Sequence, residues 1–131
     1  PFELTKEFRD RFQQALDDHD IPFIRQTLED INAADITSLL YEFNSEESKF
    51  VLDVLPIDDR AEIIRDLDPD TRRSFLKVYE PQEIAAIINL LDSDDAADIL
   101  NELPIKQSEE ILALLDVDVR TQVIDLLRYE E

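Results

Sequence analysis

Apolar residues recur along this chain with a period of twelve. Dividing the sequence every twelve residues from Asp20 gives nine consecutive units, the last ending at Leu127. The eighth, ninth and twelfth positions are apolar or aromatic at 26 of 27 places, where the overall apolar fraction of 44% would give about 12. The exception is Thr27, at the eighth position of the first unit. The chain is therefore a tandem repeat.

Two of these positions define the predicted core. The ninth positions are Leu28, Leu40, Leu52, Ile64, Leu76, Ile88, Leu100, Leu112 and Ile124. The twelfth positions are Ile31, Phe43, Leu55, Leu67, Tyr79, Leu91, Leu103, Leu115 and Leu127. We expect both sets to be the most buried residues of the fold.

Each unit is predicted to contain a separate short helix. A continuous helix turns by about 100° per residue, so its apolar stripe would rotate by about 120° from one unit to the next. The first position of every unit is Asp, Asn, Pro or Glu, and these residues favour helix starts. Asp68 and Asn44 are predicted N-caps, Asn44 in a capping box with Glu47. We expect helices of about two turns, beginning within about two residues of positions 21, 33, 45, 57, 69, 81, 93, 105 and 117.

These features predict an all-α protein, a superhelical solenoid of short helices. Helices of two turns are unstable alone in water and persist by stacking on one another. Residues 1–127 are predicted to form one domain, with a longer capping helix in 1–19 and the nine units in 20–127, and 128–131 to start a linker to further domains. The apolar stripe of the capping helix comprises Phe2, Leu4, Phe8, Phe12, Ala15 and Leu16.

Composition removes most kinds of chemistry. The chain has 33 acidic and 13 basic residues, a net charge of −20, no Gly or Cys, and a single His. The missing residues exclude phosphate-binding glycine loops, thiolate chemistry and Cys/His zinc sites. The charge disfavours binding to nucleic acids and to anionic membrane surfaces. The longest uncharged run, Ile84 to Leu91, is too short to span a bilayer.

We expect no enzymatic activity from this sequence. His19 has no Cys or convincing Ser partner and is expected in an exposed turn before the first unit. Paired carboxylates are numerous, but an acid–base pair needs a cleft that excludes water, and short stacked helices offer a poor frame for one.

The densest acidic segment is DSDDAAD, residues 92–98. If Asp92 caps the helix, Asp98 shares a face with Asp94 at i,i+4 and with Asp95 at i,i+3. Carboxylates without sulfur or imidazole suit Mg²⁺ or Ca²⁺. Alternatively, Asp92, Asp94 and Asp95 only stabilise the helix start by interacting with the helix dipole. The spacing alone favours this alternative, which leaves Asp98 unexplained. Glu62 occupies the same seventh position three units earlier.

The segments DSDDAADILNELP, INAADITSLLYEF and LLRYEE resemble the cytosolic N-terminal domain of MgtE-family magnesium transporters. In that family a similar DDAAD segment is followed by LP, and a YEE segment leads into paired CBS domains. The resemblance extends over residues 20–131 and, more loosely, the first helix. One departure is the sequence Asn32-Ala33-Ala34, where the family prefers His-Pro-Ala.

The resemblance implies a regulatory Mg²⁺-sensing domain on the cytoplasmic side of the membrane, in a homodimeric transporter or channel. Such a domain docks on CBS domains when Mg²⁺ is abundant and favours the closed pore. The metal-contacting acids would be Asp94, Asp98 and Glu62, with the adjacent Asp95 a further candidate, and Mg²⁺ would bind the isolated domain weakly. The alternative is a metal-independent acidic adaptor for protein–protein interaction, since flagellar motor-switch proteins carry a similar superhelix of short helices.

Overall fold

The computed structural model describes residues 3–127, and this part of the chain is built from α-helices without a strand. The helices are α1 (Lys6–Asp17), α2 (Ile21–Glu29), α3 (Ala33–Leu40), α4 (Ser45–Asp53), α5 (Ile57–Asp66), α6 (Pro69–Leu76), α7 (Pro81–Ile88), α8 (Ser93–Glu102), α9 (Ile105–Leu114) and α10 (Val117–Ile124). The predicted all-α class is confirmed. Phe2 and the predicted linker, residues 128–131, lie outside the described residues.

Helices α2 to α10 begin at the nine predicted positions, from Ile21 to Val117 in steps of twelve. At four of these helix starts, side-chain capping by the first residue of the unit explains the register. The side chains of Asp20, Asn32, Asn44 and Asp68 accept a hydrogen bond from the backbone N–H three residues later, which satisfies one of the free donors at each helix start. The predicted capping box is also present, because Glu47 accepts from the Asn44 N–H.

The core is built from the eighth and ninth positions of the units. Eighth-position residues are buried from Leu39 onward, and ninth-position residues are buried from Leu28 to Leu112. The prediction that twelfth positions would be among the most buried is wrong for about half of them. Ile31, Phe43, Leu55, Leu91 and Leu127 are only half-buried. Every twelfth residue follows the end of its helix, so it lies in a turn, where its burial depends on the surrounding helices and not on the packed face of its own helix.

Ile124 is a second departure from the predicted core. It occupies the ninth position of the last unit but is 48% exposed, because within the described residues no helix follows α10 to cover it. Only Val123 of α10 is buried. The repeat makes this position apolar, but the side chain is buried only where a following helix packs against it.

The chain divides into two compact units, the first ending at Ile63 and the second beginning at Ile64. In the first unit α1 packs against α2, with the Arg11 guanidinium 3.8 Å from the centre of the Phe23 ring. The Phe12 ring, on the predicted stripe of α1, lies 5.6 Å from that of Phe43. Phe12, Ala15 and Leu16 of this stripe are buried, Phe8 is half-buried, and Leu4 is exposed before the helix starts.

Within the second unit each helix packs against the helix two places along the chain. Helix α6 contacts α8, α7 contacts α9, and α8 contacts α10. Asn89 adds a polar link to this arrangement, because its side-chain oxygen accepts from the Asp116 N–H at 3.0 Å. Alternate helices of this unit therefore form two stacks, which touch each other where α8 contacts α9.

Polar side chains at the fifth position close the end of the preceding helix. Ser48 and Ser108 are buried, and each hydroxyl donates to the carbonyl of the residue eight positions earlier, Leu40 and Leu100 respectively. Arg72, at the same position, donates from Nη1 to the Ile64 carbonyl. Each of these ninth-position carbonyls lies near a helix end and accepts from the backbone N–H three residues later, and the side chain supplies a second donor.

His19 lies in an exposed turn, as predicted, and has a backbone φ of 52°. Its N–H donates to the Leu16 carbonyl, and the Asp20 N–H donates to the Ala15 carbonyl. These two bonds form a Schellman motif that ends α1 in the left-handed conformation usually supplied by glycine. The His19 ring lies 5.0 Å from that of Phe50.

Candidate functional site

Helix α8 presents the predicted metal-binding aspartates to solvent. Asp94 and Asp95 lie in its first turn, and Asp98 follows one turn later. Asp94 and Asp98 are exposed, whereas Asp95 is half-buried. Their i,i+4 spacing places Asp94 and Asp98 next to each other along one helix face. Two adjacent carboxylates at this spacing repel each other unless a cation lies between them.

Asp92 occupies the N-cap position of α8 with an extended backbone, as the sequence predicted, but its side chain makes no capping hydrogen bond. Its carbonyl accepts the first helical hydrogen bond, from the Ala96 N–H at 2.9 Å. The acids of this segment therefore support the helix start through the dipole and not through a side-chain cap.

Buried residues on the other side of α8 fix the orientation of the exposed aspartates. Ala96, Ala97, Ile99 and Leu100 are all buried in the second unit. Small alanine side chains let the helix approach its neighbours closely, while Ile99 and Leu100 fill the core. The helix consequently presents Asp94 and Asp98 from a firmly packed element, which favours a defined arrangement of ligands.

A nearly buried ion pair holds the other end of α8. Glu102, its last residue, accepts two hydrogen bonds from Arg72, at 2.9 Å from Nε and 2.6 Å from Nη2. The Arg72 side chain is 7% exposed and that of Glu102 is 17% exposed. The Nη1 atom of Arg72 also donates to the carbonyls of Ile64, Arg65 and Leu67. One guanidinium thus joins the end of α8 to the chain around the end of α5.

The sequence interpretation did not identify Arg72 or Glu102. The available signal is the fifth position of the repeat, where Ile24, Ile36, Ile84 and Ala96 are apolar and buried. The same position also holds Ser48, Ser108 and the half-buried Arg60 and Arg120, so an arginine there is only a weak signal of a buried charge that requires a partner. The identity of that partner depends on how the chain folds.

Glu62 lies on α5 in the first unit, away from α8 along the sequence. It is exposed and lines an apolar groove together with Asp59 and Glu29. The structure therefore places Glu62 in the first unit and Asp94, Asp95 and Asp98 in the second.

The carboxylates of Asp94 and Asp98 suit a divalent cation that keeps part of its water shell better than a cation enclosed entirely by protein ligands. Residues 3–127 contain no group of three or more His, Cys, Asp or Glu side chains arranged to hold a metal ion. Mg²⁺ keeps several of its waters and commonly takes only one or two carboxylates from a protein. Asp94 and Asp98 can supply these two, so the residues present fit Mg²⁺ as part of a coordination sphere. In the same described range, no helix is both long enough and apolar enough to cross a bilayer.

Comparisons with known proteins identify the same family as the sequence motifs. A family model described as the MgtE intracellular N domain matches residues 31–131. No curated protein gives a significant match.

Two solved structures share the fold. The cytosolic domain of the Mg²⁺ channel MgtE, in complex with ATP, is 33% identical and superposes with a TM-score of 0.77, covering 91% of this chain and 49% of the other. The soluble part of a magnesium transporter is 18% identical, with a TM-score of 0.78 and coverage of 96% and 50%. The chain therefore spans about half the length of the structures it matches.

Proposed function

Because the chain belongs to the family of MgtE intracellular N domains, we propose that it is the regulatory Mg²⁺-sensing domain of a magnesium transporter or channel. The family places it on the cytosolic side of the membrane, and it is a family of transporter domains and not of enzymes. The observation that supports sensing best is the pair of exposed carboxylates, Asp94 and Asp98, one turn apart on the firmly packed helix α8.

In this proposal the domain docks on the CBS domains of the transporter when Mg²⁺ is abundant, and docking favours the closed pore. A domain with a net charge of −20 is repelled by another acidic surface, and divalent cations between the surfaces remove that repulsion. If Mg²⁺ binds the docked form more tightly, mass action makes docking depend on the Mg²⁺ concentration. The transporter acts as a homodimer, so the CBS domains belong to the same or to the paired subunit.

Asp94, Asp98 and Glu62 are the proposed ligands. Each is exposed, so each can contribute an oxygen to a cation shared with the docked partner without first breaking a contact in its own unit. Asp95 is a further candidate. It is half-buried and occupies the third helical position of α8, so it serves the helix start as well.

The experiment measures docking in the transporter that carries this domain. Limited proteolysis after Glu131 is followed as a function of Mg²⁺ concentration in the unmodified protein and in Asp94→Ala, Asp98→Ala and Glu62→Ala variants. Each variant should need a higher Mg²⁺ concentration for protection, because it lacks a ligand that acts only in the docked state. Asp70→Ala is the matched control, since Asp70 is an exposed acid in the first turn of α6.

Equal Mg²⁺ requirements in all four variants would refute the metal role of these acids. Protection that does not depend on Mg²⁺ at all would instead support the alternative, a metal-independent acidic adaptor that binds other proteins. Circular dichroism of each variant checks that the helices are intact, because an exposed acid at a helix start contributes only about 1 kcal/mol to stability.

A further inference from the structure

An apolar groove of about 580 Å³ opens on the first unit. It runs between the end of α2, the start of α3, the turn that joins α4 to α5, and α5 itself. Its floor includes Ile31, Val54 and Leu55, which are half-buried. These side chains are accessible from outside, so a ligand lying along the surface can cover them.

Two residues at the twelfth position of the repeat are left partly uncovered in this groove. Ile31 and Leu55 hold this position in the first and third repeats and remain half-buried. In the second unit, Leu67, Tyr79, Leu103 and Leu115 hold the same position and are buried, whereas Leu91 and Leu127 are half-buried. The groove thus brings two partly uncovered apolar repeat positions together, and covering them would be favourable in proportion to the area removed from water.

Charged side chains at the rim select the kind of ligand. Glu29, Asp59 and Glu62 are exposed around the groove, with Arg25 as the one basic lining residue. Within residues 3–127 none of these three acids forms an ion pair with another side chain. The rim therefore carries a net negative charge within a chain of net charge −20, which repels anionic ligands and attracts cationic ones.

We propose that this groove binds a basic amphipathic helix of a partner protein. Apolar side chains at i, i+3, i+4 and i+7 of such a helix cover Ile31, Val54 and Leu55, and Lys or Arg side chains flanking the stripe pair with Glu29, Asp59 and Glu62. Rim charges on two different helices, α2 and α5, match the two flanks of a helix lying between them. This binding requires no metal ion, and it shares only Glu62 with the Mg²⁺-sensing proposal, so its test is made without Mg²⁺ and at other residues of the groove.

The test uses the full 131-residue chain and two fluorescent peptides of about four helical turns. Both peptides carry leucine at the same amphipathic positions, and the remaining positions are lysine in one and glutamate in the other. Fluorescence anisotropy is measured in EDTA at low and at moderate ionic strength. The lysine peptide should bind and should weaken as salt is added, while the glutamate peptide should not bind.

Two adjacent acids separate specific binding from general attraction. Asp59→Lys should weaken binding of the lysine peptide by about tenfold or more, because Asp59 lines the groove. Asp58→Lys changes the net charge equally at the neighbouring exposed position outside the groove lining, and it should leave the affinity within about twofold. Equal losses in both variants would show that the peptide responds only to net charge, and would overturn the proposal.

A third variant tests the apolar floor. Ala33 lines the groove at the first position of α3, and Ala33→Phe should fill part of it and weaken the lysine peptide while leaving the rim charge unchanged. Far-UV circular dichroism confirms that the variant is folded. Undiminished binding to folded Ala33→Phe would place the peptide elsewhere and would overturn the proposal as well.

Discussion

Arg72 and Glu102 form a two-point ion pair across thirty residues of sequence, with Nη2–Oε2 and Nε–Oε1 distances of 2.6 and 2.9 Å. The pair is nearly buried, and the same guanidinium donates to three backbone carbonyls around the end of α5. It therefore binds more polar groups than any serine at the fifth position of the repeat. Its loss removes two donors from the Glu102 carboxylate and one donor from each of three carbonyls.

Arg72→Ala should reduce the free energy of unfolding by about 3–5 kcal/mol, since it leaves the charge of Glu102 uncompensated in a largely buried site. Chemical denaturation followed by circular dichroism measures the change. The neighbouring Arg73 is paired with Asp70 at an exposed site, so Arg73→Ala should cost less than about 1 kcal/mol. Similar losses for the two variants would contradict the special role of Arg72.

Ser48→Ala and Ser108→Ala should each destabilise the protein by about 1 kcal/mol, because each removes a buried hydrogen bond to a carbonyl at a helix end. Ser38→Ala is the matched control. Ser38 is exposed and donates to the Ala34 carbonyl within its own helix, so its replacement should be neutral or slightly stabilising. The ordering of the three variants in urea denaturation is the measurement.

Leu100→Ala should cost about 2–5 kcal/mol, because it empties a core position in the middle of the second unit. Ile124→Ala changes the same repeat position in the last helix, where the side chain is 48% exposed, and it should cost less than about half as much. Leu91→Ala should fall between them, since Leu91 is half-buried. A loss at Ile124 as large as that at Leu100 would show that another segment covers α10.

His19→Val should destabilise the protein by about 1–2 kcal/mol, because a β-branched side chain fits poorly at a backbone φ of 52°. Asn tolerates this conformation, so His19→Asn should cost clearly less than His19→Val. Asp18→Val, one residue earlier in a right-handed conformation, controls for the hydrophobic substitution. Thermal unfolding of the three variants checks the order.

Mg²⁺ should raise the melting temperature of the isolated chain slightly at low ionic strength, by reducing repulsion among its acids. Asp98→Asn should diminish this rise, because it removes one carboxylate of the pair with Asp94 on α8. Asp70→Asn should leave the rise unchanged. Calcium and sodium titrations at matched ionic strength show how far the effect is specific to Mg²⁺.

The helix register could be predicted from sequence because its causes are local. A capping side chain at Asp20, Asn32, Asn44 or Asp68 acts on a backbone N–H only three residues away, so composition and spacing suffice. Burial in the turns was harder to predict. Leu55 and Leu67 hold equivalent positions, yet one is half-buried in a groove and the other is buried, because the difference depends on which helices pack nearby.

The candidate site could be predicted only in part for a similar reason. The i,i+4 spacing of Asp94 and Asp98 follows from the helix and is present in the structure. The pairing of Arg72 with Glu102 joins residues far apart in sequence, so the twelve-residue pattern alone does not reveal it. The ligands that would complete a metal site with Asp94 and Asp98 are not found in a group within the described residues, and local spacing does not identify them.

The alternate packing of the second unit limits how the array can change in length. Because α7 packs on α9 and α8 packs on α10, odd-numbered and even-numbered helices form two stacks, which touch where α8 contacts α9. Inserting a single twelve-residue unit between α8 and α9 would move both following helices to the opposite stack, away from their present main packing partners, α7 and α8. Inserting two units would return every later helix to its own stack. Two repeats at a time can therefore be added or removed while the existing packing is kept, whereas a single repeat cannot. We expect duplications within such an array to persist in pairs.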